Sequence, residues 1–355
     1  MEGKKLLRVI VLIIGTIFIA GFSLTIEAAE TQKALPKVIN ISTYRVGSIA
    51  YLISQGFANA IKQKTGMEVR LISTATDVGK FMSAANKESE LGYTAASDCY
   101  LAARGISGWE KVGLSKVRLI WAGTYAYGTL GVRRDSDIKT LKDLKGKVIA
   151  TWRGAEEKHV HSSLAFAGLE PTDVKYLMLT YPETCKAVID GKADAAYWAP
   201  QAPIALEAEN SPGGLRLLEY GPPEEKEAWT RFRKYAPYYF AYRATRGAYI
   251  SKNPTWMFCT RQVLFSMDFV PEDLIYTIVK ALDEGFDIYK DVGKPDSADW
   301  TLRETLEAGG KGSYNPWHPG FVKYAKEKGI WTDAHEKLQK QFLKEEEEII
   351  KASKK

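Results

Sequence analysis

Hydrophobic and polar positions along the chain switch repeatedly between a period of two and a period near 3.6. In "VINISTYRVGSIAYLISQGFANAI", Val38–Ser42 alternates as a strand does, and Ile49, Leu52, Ile53, Gly56, Phe57, Ala60 and Ile61 then recur on one helical face. The pattern predicts a helix over Ile49–Lys64 closed by Gly66, a strand over Glu68–Ser73, a helix over Asp77–Asn86 and a strand over Leu91–Ala95. Val117–Val132 is too long for one ordinary strand and carries Gly123, Gly128 and Gly131, which suits a segment crossing between domains.

A second set of alternating elements follows. Strands are predicted at Lys147–Thr151, Val174–Leu179 and Ala193–Trp198, with helices at Lys158–Ala167, closed by Gly168, and Pro182–Asp190, stopped by Gly191. Beyond about Tyr235 the chain reads as extended through "YAPYYFAYRATRGAYI" and then as helices to the C-terminus. Pro271–Tyr289, with Leu274, Ile278, Leu282 and Phe286 on one stripe, is the clearest of these. The final amphipathic stretch holds Glu345–Glu348, which reads as a solvated outer face. Strands alternating with helices predict an α/β fold with a mainly parallel sheet. The order of elements predicts two α/β lobes: residues 37–125 begin the first, residues 126–235 form the second, and residues 236–355 return through a hinge to the first.

The N-terminus adds an address. Lys4, Lys5 and Arg8 precede an uncharged run from Val9 to Ile26, and Ala28 and Ala29 follow, the layout of a signal peptide over residues 1–28 cleaved near Ala28. An uncleaved membrane anchor is the alternative for a run of that length. The 355-residue chain has 49 Lys and Arg against 43 Asp and Glu, a net charge of +6 too thinly spread for a nucleic-acid surface. Cys99, Cys185 and Cys259 are odd in number and far apart, which predicts buried thiols rather than a disulfide scaffold.

Candidate chemistry lies at strand–polar loop–helix junctions. Such a junction leaves N–H groups at the helix N-terminus, suited to a carboxylate or phosphate. It recurs at "TYRVGS", at "STATDVGK" and at "TWRGAEE", so the three would converge at the carboxyl ends of strands. Plain helix capping by Ser, Thr and Asp is the competing reading of each. His159 and His161 stand two apart on a predicted helix and face different sides, which makes a poor metal pair. HExxH, GxSxG, Walker and CxxC motifs are absent, and no catalytic residue, metal or cofactor is expected.

Together with the leader, "SELGYTAASD" and "LKDLKGKVIA" resemble a bilobed type II periplasmic solute receptor. More narrowly, "NPWHPGFVKYAKEKGIW" (Asn315–Trp331), "VRRDSDIKTLKDLKGKVI" and "LEPTDVKYLMLTYPETCKAVIDGKADAAYW" are similar to the TAXI receptors of TRAP transporters, over about Lys37–Trp331. The resemblance implies a non-enzymatic subunit that captures a small organic acid or amino acid between two lobes and delivers it to the TRAP membrane permease. A membrane-anchored periplasmic ligand sensor is the alternative.

The ligand loops depart from that family. Its "TGGTYYP" is "RVGSIAYL" here, its "GGSVEN" is "ATDVGK", and its "QSD" is "AASD". Matching positions imply ligand contacts from Tyr44, Arg45, Ser48, Tyr51, Thr76, Asp77, Ser97, Arg153, Trp198 and Gln201, with Tyr249 near the second hinge. Arg45 or Arg153 would grip a carboxylate through two parallel hydrogen bonds. Asp77 would either meet an amine or hydroxyl of the ligand or serve only as a helix cap.

Overall fold

The structure, a computed structural model, describes residues 35–353 except 75, 111–113, 153–154 and 181–182. The predicted leader and Arg153 therefore lie outside the described residues. In chain order the first elements are β1 (Val38–Thr43), α1 (Ile49–Thr65), β2 (Glu68–Ser73), α2 (Asp77–Ala85), β3 (Leu91–Ala95), α3 (Ala96–Arg104) and β4 (Val117–Arg133). Then come β5 (Val148–Thr151), α4 (Ala155–Phe166), β6 (Lys175–Met178), α5 (Glu183–Ile189), β7 (Ala195–Trp198), α6 (Pro203–Asn210), β8 (Leu215–Leu217) and α7 (Lys226–Arg233). The chain finishes with β9 (Phe240–Ala244), β10 (Thr255–Met267), α8 (Glu272–Glu284), α9 (Phe286–Tyr289), α10 (Leu302–Ala308), α11 (Pro319–Glu327) and α12 (Asp333–Ser353).

The strands form one ten-stranded mixed sheet in the order β2-β1-β3-β10-β4-β7-β5-β6, with β8 beside β4 and β9 beside β10. Within it the same local unit appears twice. β1 pairs in parallel with β2 on one side and β3 on the other, and β5 does the same with β6 and β7. Helices that cross right-handed between parallel strands cover the sheet faces and bury them.

β4 joins the two units. Its Val117–Gly128 stretch runs antiparallel to β10, and Thr129–Val132 pairs with β7. The register between β4 and β10 shifts at Arg261/Gln262, opposite Thr124, a bulge in the middle of both long strands. The Val117–Val132 run, read from sequence as too long for one ordinary strand, is a single 17-residue strand.

The C-terminal third corrects two expectations. The all-helical tail contains β10, a central 13-residue strand, before α8 begins. "TWMFCTRQVLFSM" is buried along almost all of its length, so it lacks the alternation that marks a one-sided strand. The Glu345–Glu348 run is not only a solvated face. Glu346 takes two bonds from the buried Arg118 guanidinium, at 2.7 and 2.9 Å, and Glu345 pairs with Arg104 at 3.5 Å, strapping α12 onto the sheet. All three cysteines are buried, with no disulfide between them.

Local chemistry sets where the helices begin. Ser48 is extended and its hydroxyl accepts the Tyr51 N–H at 3.1 Å, while α1 ends on Gly66 at φ +75° with its N–H on the Lys62 carbonyl. Thr76 caps α2 in the same way, accepting from Gly79 N–H at 3.1 Å. The chain leaves β1 and β2 at their carboxyl ends and turns at once into these capped helices.

Candidate functional site

A cavity of about 520 Å³ opens where those junctions meet their counterparts from the second unit. On one side it is lined by Tyr44 and Arg45 after β1, and by Thr74, Thr76, Asp77 and Lys80 after β2 and in the first turn of α2. On the other side stand Trp152 after β5, and Tyr197, Ala199 and Ala202 at the end of β7 and the loop beyond it. Every contributor sits at or just past the carboxyl end of a parallel strand, where the strand order of an α/β sheet leaves a crevice.

Among the described residues the charged groups are confined to the first side. The Lys80 side chain is 1% exposed, with Nζ 2.6 Å from Asp77 Oδ1 and 3.0 Å from the centroid of the Tyr44 ring. Burial lowers the ammonium's pKa, and the Asp77 and Asp98 carboxylates oppose that. Asp98 lies behind, 9% exposed, and accepts from Thr94 Oγ1 at 2.6 Å. Burial, then the charges of Asp77 and Asp98, push the Tyr44 phenol well above its ordinary range.

The second side is aromatic and has a packed backing. Trp152 meets Tyr197 edge-on with centroids 6.3 Å apart, and Tyr197 stacks on Phe258 of β10 at 5.9 Å. A Cβ at Gly128 of β4 would lie 2.3 Å from the Tyr197 ring, so glycine is required for the ring to lie there. Behind Tyr197, buried His159 hydrogen-bonds the Tyr239 hydroxyl, and burial lowers its pKa to about 3. Among the described residues no three His, Cys, Asp or Glu side chains gather as a metal site.

A family model matches residues 41–329, so it takes in both units of the sheet and all sides of the cavity. The chain belongs to the NMT1-like family. Among solved structures, the NMT1-like chain is similar to the periplasmic sulfonate-binding protein SsuA from Methylobacillus flagellatus KT. That match has 16% identity and a TM-score of 0.51, covering 83% of this chain and 95% of that one. It is also similar to the aliphatic sulphonate binding protein SsuA from Escherichia coli, at 16% identity and TM-score 0.46 over 77% and 84% of the two chains. A TctC solute binding protein from Polaromonas matches at 13% identity and TM-score 0.46 over 84% and 99%. The Methylobacillus flagellatus match shows the fold, that of a periplasmic binding protein.

The NMT1-like chain brings together four of the residues singled out from sequence: Tyr44, Arg45, Thr76 and Asp77 all line the cavity. Thr76 is also the cap of α2, and Asp77 is the residue after the cap rather than the cap itself. Ser48 is spent on capping α1, and Tyr51, in the first turn of α1, is half-buried outside the cavity lining. Ser97 is buried within α3. Trp198 is fully buried, its indole N–H donating to the Gly131 carbonyl at 3.2 Å. Exposed Gln201 donates to the Tyr125 carbonyl at 3.4 Å, and Tyr249 adopts φ +66° beside the second unit's core.

Thr74 and Trp152, which stand in the polar junctions read from sequence, also line the cavity, together with Lys80, Tyr197, Ala199 and Ala202, which were not singled out. A signal for Lys80 was present: in "DVGKFMSAA" it shares the buried helix face with Phe81 and Ala84, where a lysine needs a reason to be.

Proposed function

We propose that this chain is the extracytoplasmic solute-binding subunit of a membrane transporter, of TRAP type as its TAXI-like tail implies. It is exported with its leader removed near Ala28 and captures a small anionic or zwitterionic metabolite, an organic acid or amino acid. It then delivers the molecule to the membrane permease. The observation that carries this reading is the cavity at the strand ends of both units, large enough for a small metabolite and walled by cations on one side and aromatic rings on the other. The lobes, residues 37–125 with 236–355 and residues 126–235, turn about the middle of β4 and the return of the chain near residue 235, and close on the ligand. Each wall then contacts the ligand fully only in the closed form, which is how binding selects that form. Among the described residues the cavity lining offers no serine, cysteine or threonine beside a histidine base, and the role we assign is binding without catalysis.

Native mass spectrometry of the mature protein, purified gently after export and then denatured, tests the reading. A stoichiometric small acid or amino acid is expected in the released fraction. Protein that carries none and binds none in titration overturns it.

A further inference from the structure

Among the described residues three charged side chains line the cavity, and of these only Lys80 is buried. Its carboxylate partner Asp77 is 48% exposed and lies on the solvent side of the pair. The two groups therefore differ in what they can do. Asp77 can rotate into water with little loss, whereas the Lys80 ammonium is held beneath it by the Tyr44 ring and the inner carboxylate of Asp98. An ammonium has three donors, and Asp77 Oδ1 is the side-chain oxygen that pairs with this one. The pair lines the cavity with the ammonium buried, at a depth where a charge–charge contact is poorly screened by water.

We propose that Lys80 is the anchor for the bound molecule and that an acid group of that molecule, a carboxylate or a sulfonate, exchanges with Asp77 on the ammonium. Asp77 acts as an internal competitor, setting affinity through the exchange. The rest of the molecule faces Trp152 and Tyr197 and is apolar or flat, since that side offers rings and methyl groups. Arg45, exposed at the rim, assists from outside. The inference rests on the solute-binding reading of the cavity and narrows its ligand from anionic or zwitterionic to an acid whose charge meets lysine.

Calorimetric titration of the mature protein with succinate, glutamate, butanesulfonate and butylamine tests it. At least one acid is expected to bind while butylamine does not. Lys80→Met should weaken that acid about tenfold to a hundredfold, as for loss of a charge-assisted contact. Asp77→Asn should tighten it severalfold. The second variant changes a half-exposed residue and keeps the test alive if Lys80→Met does not fold. Unchanged binding in Lys80→Met, or weaker acid binding in Asp77→Asn, overturns the exchange and leaves the solute-binding reading standing. Preference for butylamine overturns the acid class. If no probe binds and nothing co-purifies, the solute-binding reading falls and this inference falls with it.

Discussion

In the first unit of the sheet β1 lies between β3 and β2, and in the second β5 lies between β7 and β6. The chain leaves the two central strands by equivalent routes, yet the first exit presents Tyr44 and Arg45 and the second Trp152. One wall holds the cavity's charges within a network reaching Thr94 and Asp98. The other holds no charge among the described residues and rests on a continuous aromatic stack from Trp152 through Tyr197 to Phe258. Identical strand order therefore does not dictate chemistry; the few residues after each strand do. A ligand would be chosen mainly by the first wall and covered mainly by the second.

If that division is right, damage to the second wall should register as lost stability and damage to the first as lost binding. The largest effect should come from Trp198→Ala, which empties a fully buried site beneath the second wall. A loss of about 3–5 kcal/mol is expected in urea unfolding, as for large-to-small core changes; a loss near zero would mean that the wall does not depend on that packing.

Acid should come next. His159 stays neutral in the native protein down to about pH 3, whereas the unfolded chain takes up a proton below about 6.5. Stability is complete above pH 6.5 and drains as pH falls towards 3, by about 2 kcal/mol at pH 5 from this residue. His318, whose pKa burial lowers to about 4, adds to the loss. Melting temperatures of the wild type and His159→Phe across pH 7 to 4.5 measure this, and the variant should show the flatter curve.

Two cap removals make the contrast finer. Thr76→Ala and Ser48→Ala should each cost about 1 kcal/mol of stability. Only Thr76 lines the cavity, so only its removal should also weaken binding of an acid in calorimetry. The smallest effect is expected from Arg45→Ala. Its exposure limits the loss to about 1 kcal/mol or less at low salt, and the difference should vanish at high salt, where the wild type is screened too.

Much of the first wall was readable before the fold. Junctions such as "TYRVGS" and "STATDVGK" combine a strand period, a capping residue and a helix period, which are all local signals. What lay outside local reach was orientation. Tyr197 and Trp198 are neighbours on β7, and successive strand residues point to opposite faces. The tryptophan drew the reading from sequence, but the fold turns it into the core and offers the tyrosine to the cavity. β10 escaped for a related reason: pairing with β3 and β4 along most of its length, it is buried on both faces and carries no period to read. Lys80 needed knowledge of which side of α2 the sheet covers.

The two long strands also bear on how such a protein can change over generations. Of the two, only β4 pairs with strands of the second unit, running beside β10 at Val117–Gly128 and beside β7 at Thr129–Val132. Trading the strands around β5 for those of a relative would therefore place a genetic crossover in or beside β4, where the pairing with β10 and the bulge at Arg261/Gln262 must be kept. Wholesale exchange is thereby discouraged, and diversification should proceed by point changes in the short exits after β1, β2, β5 and β7.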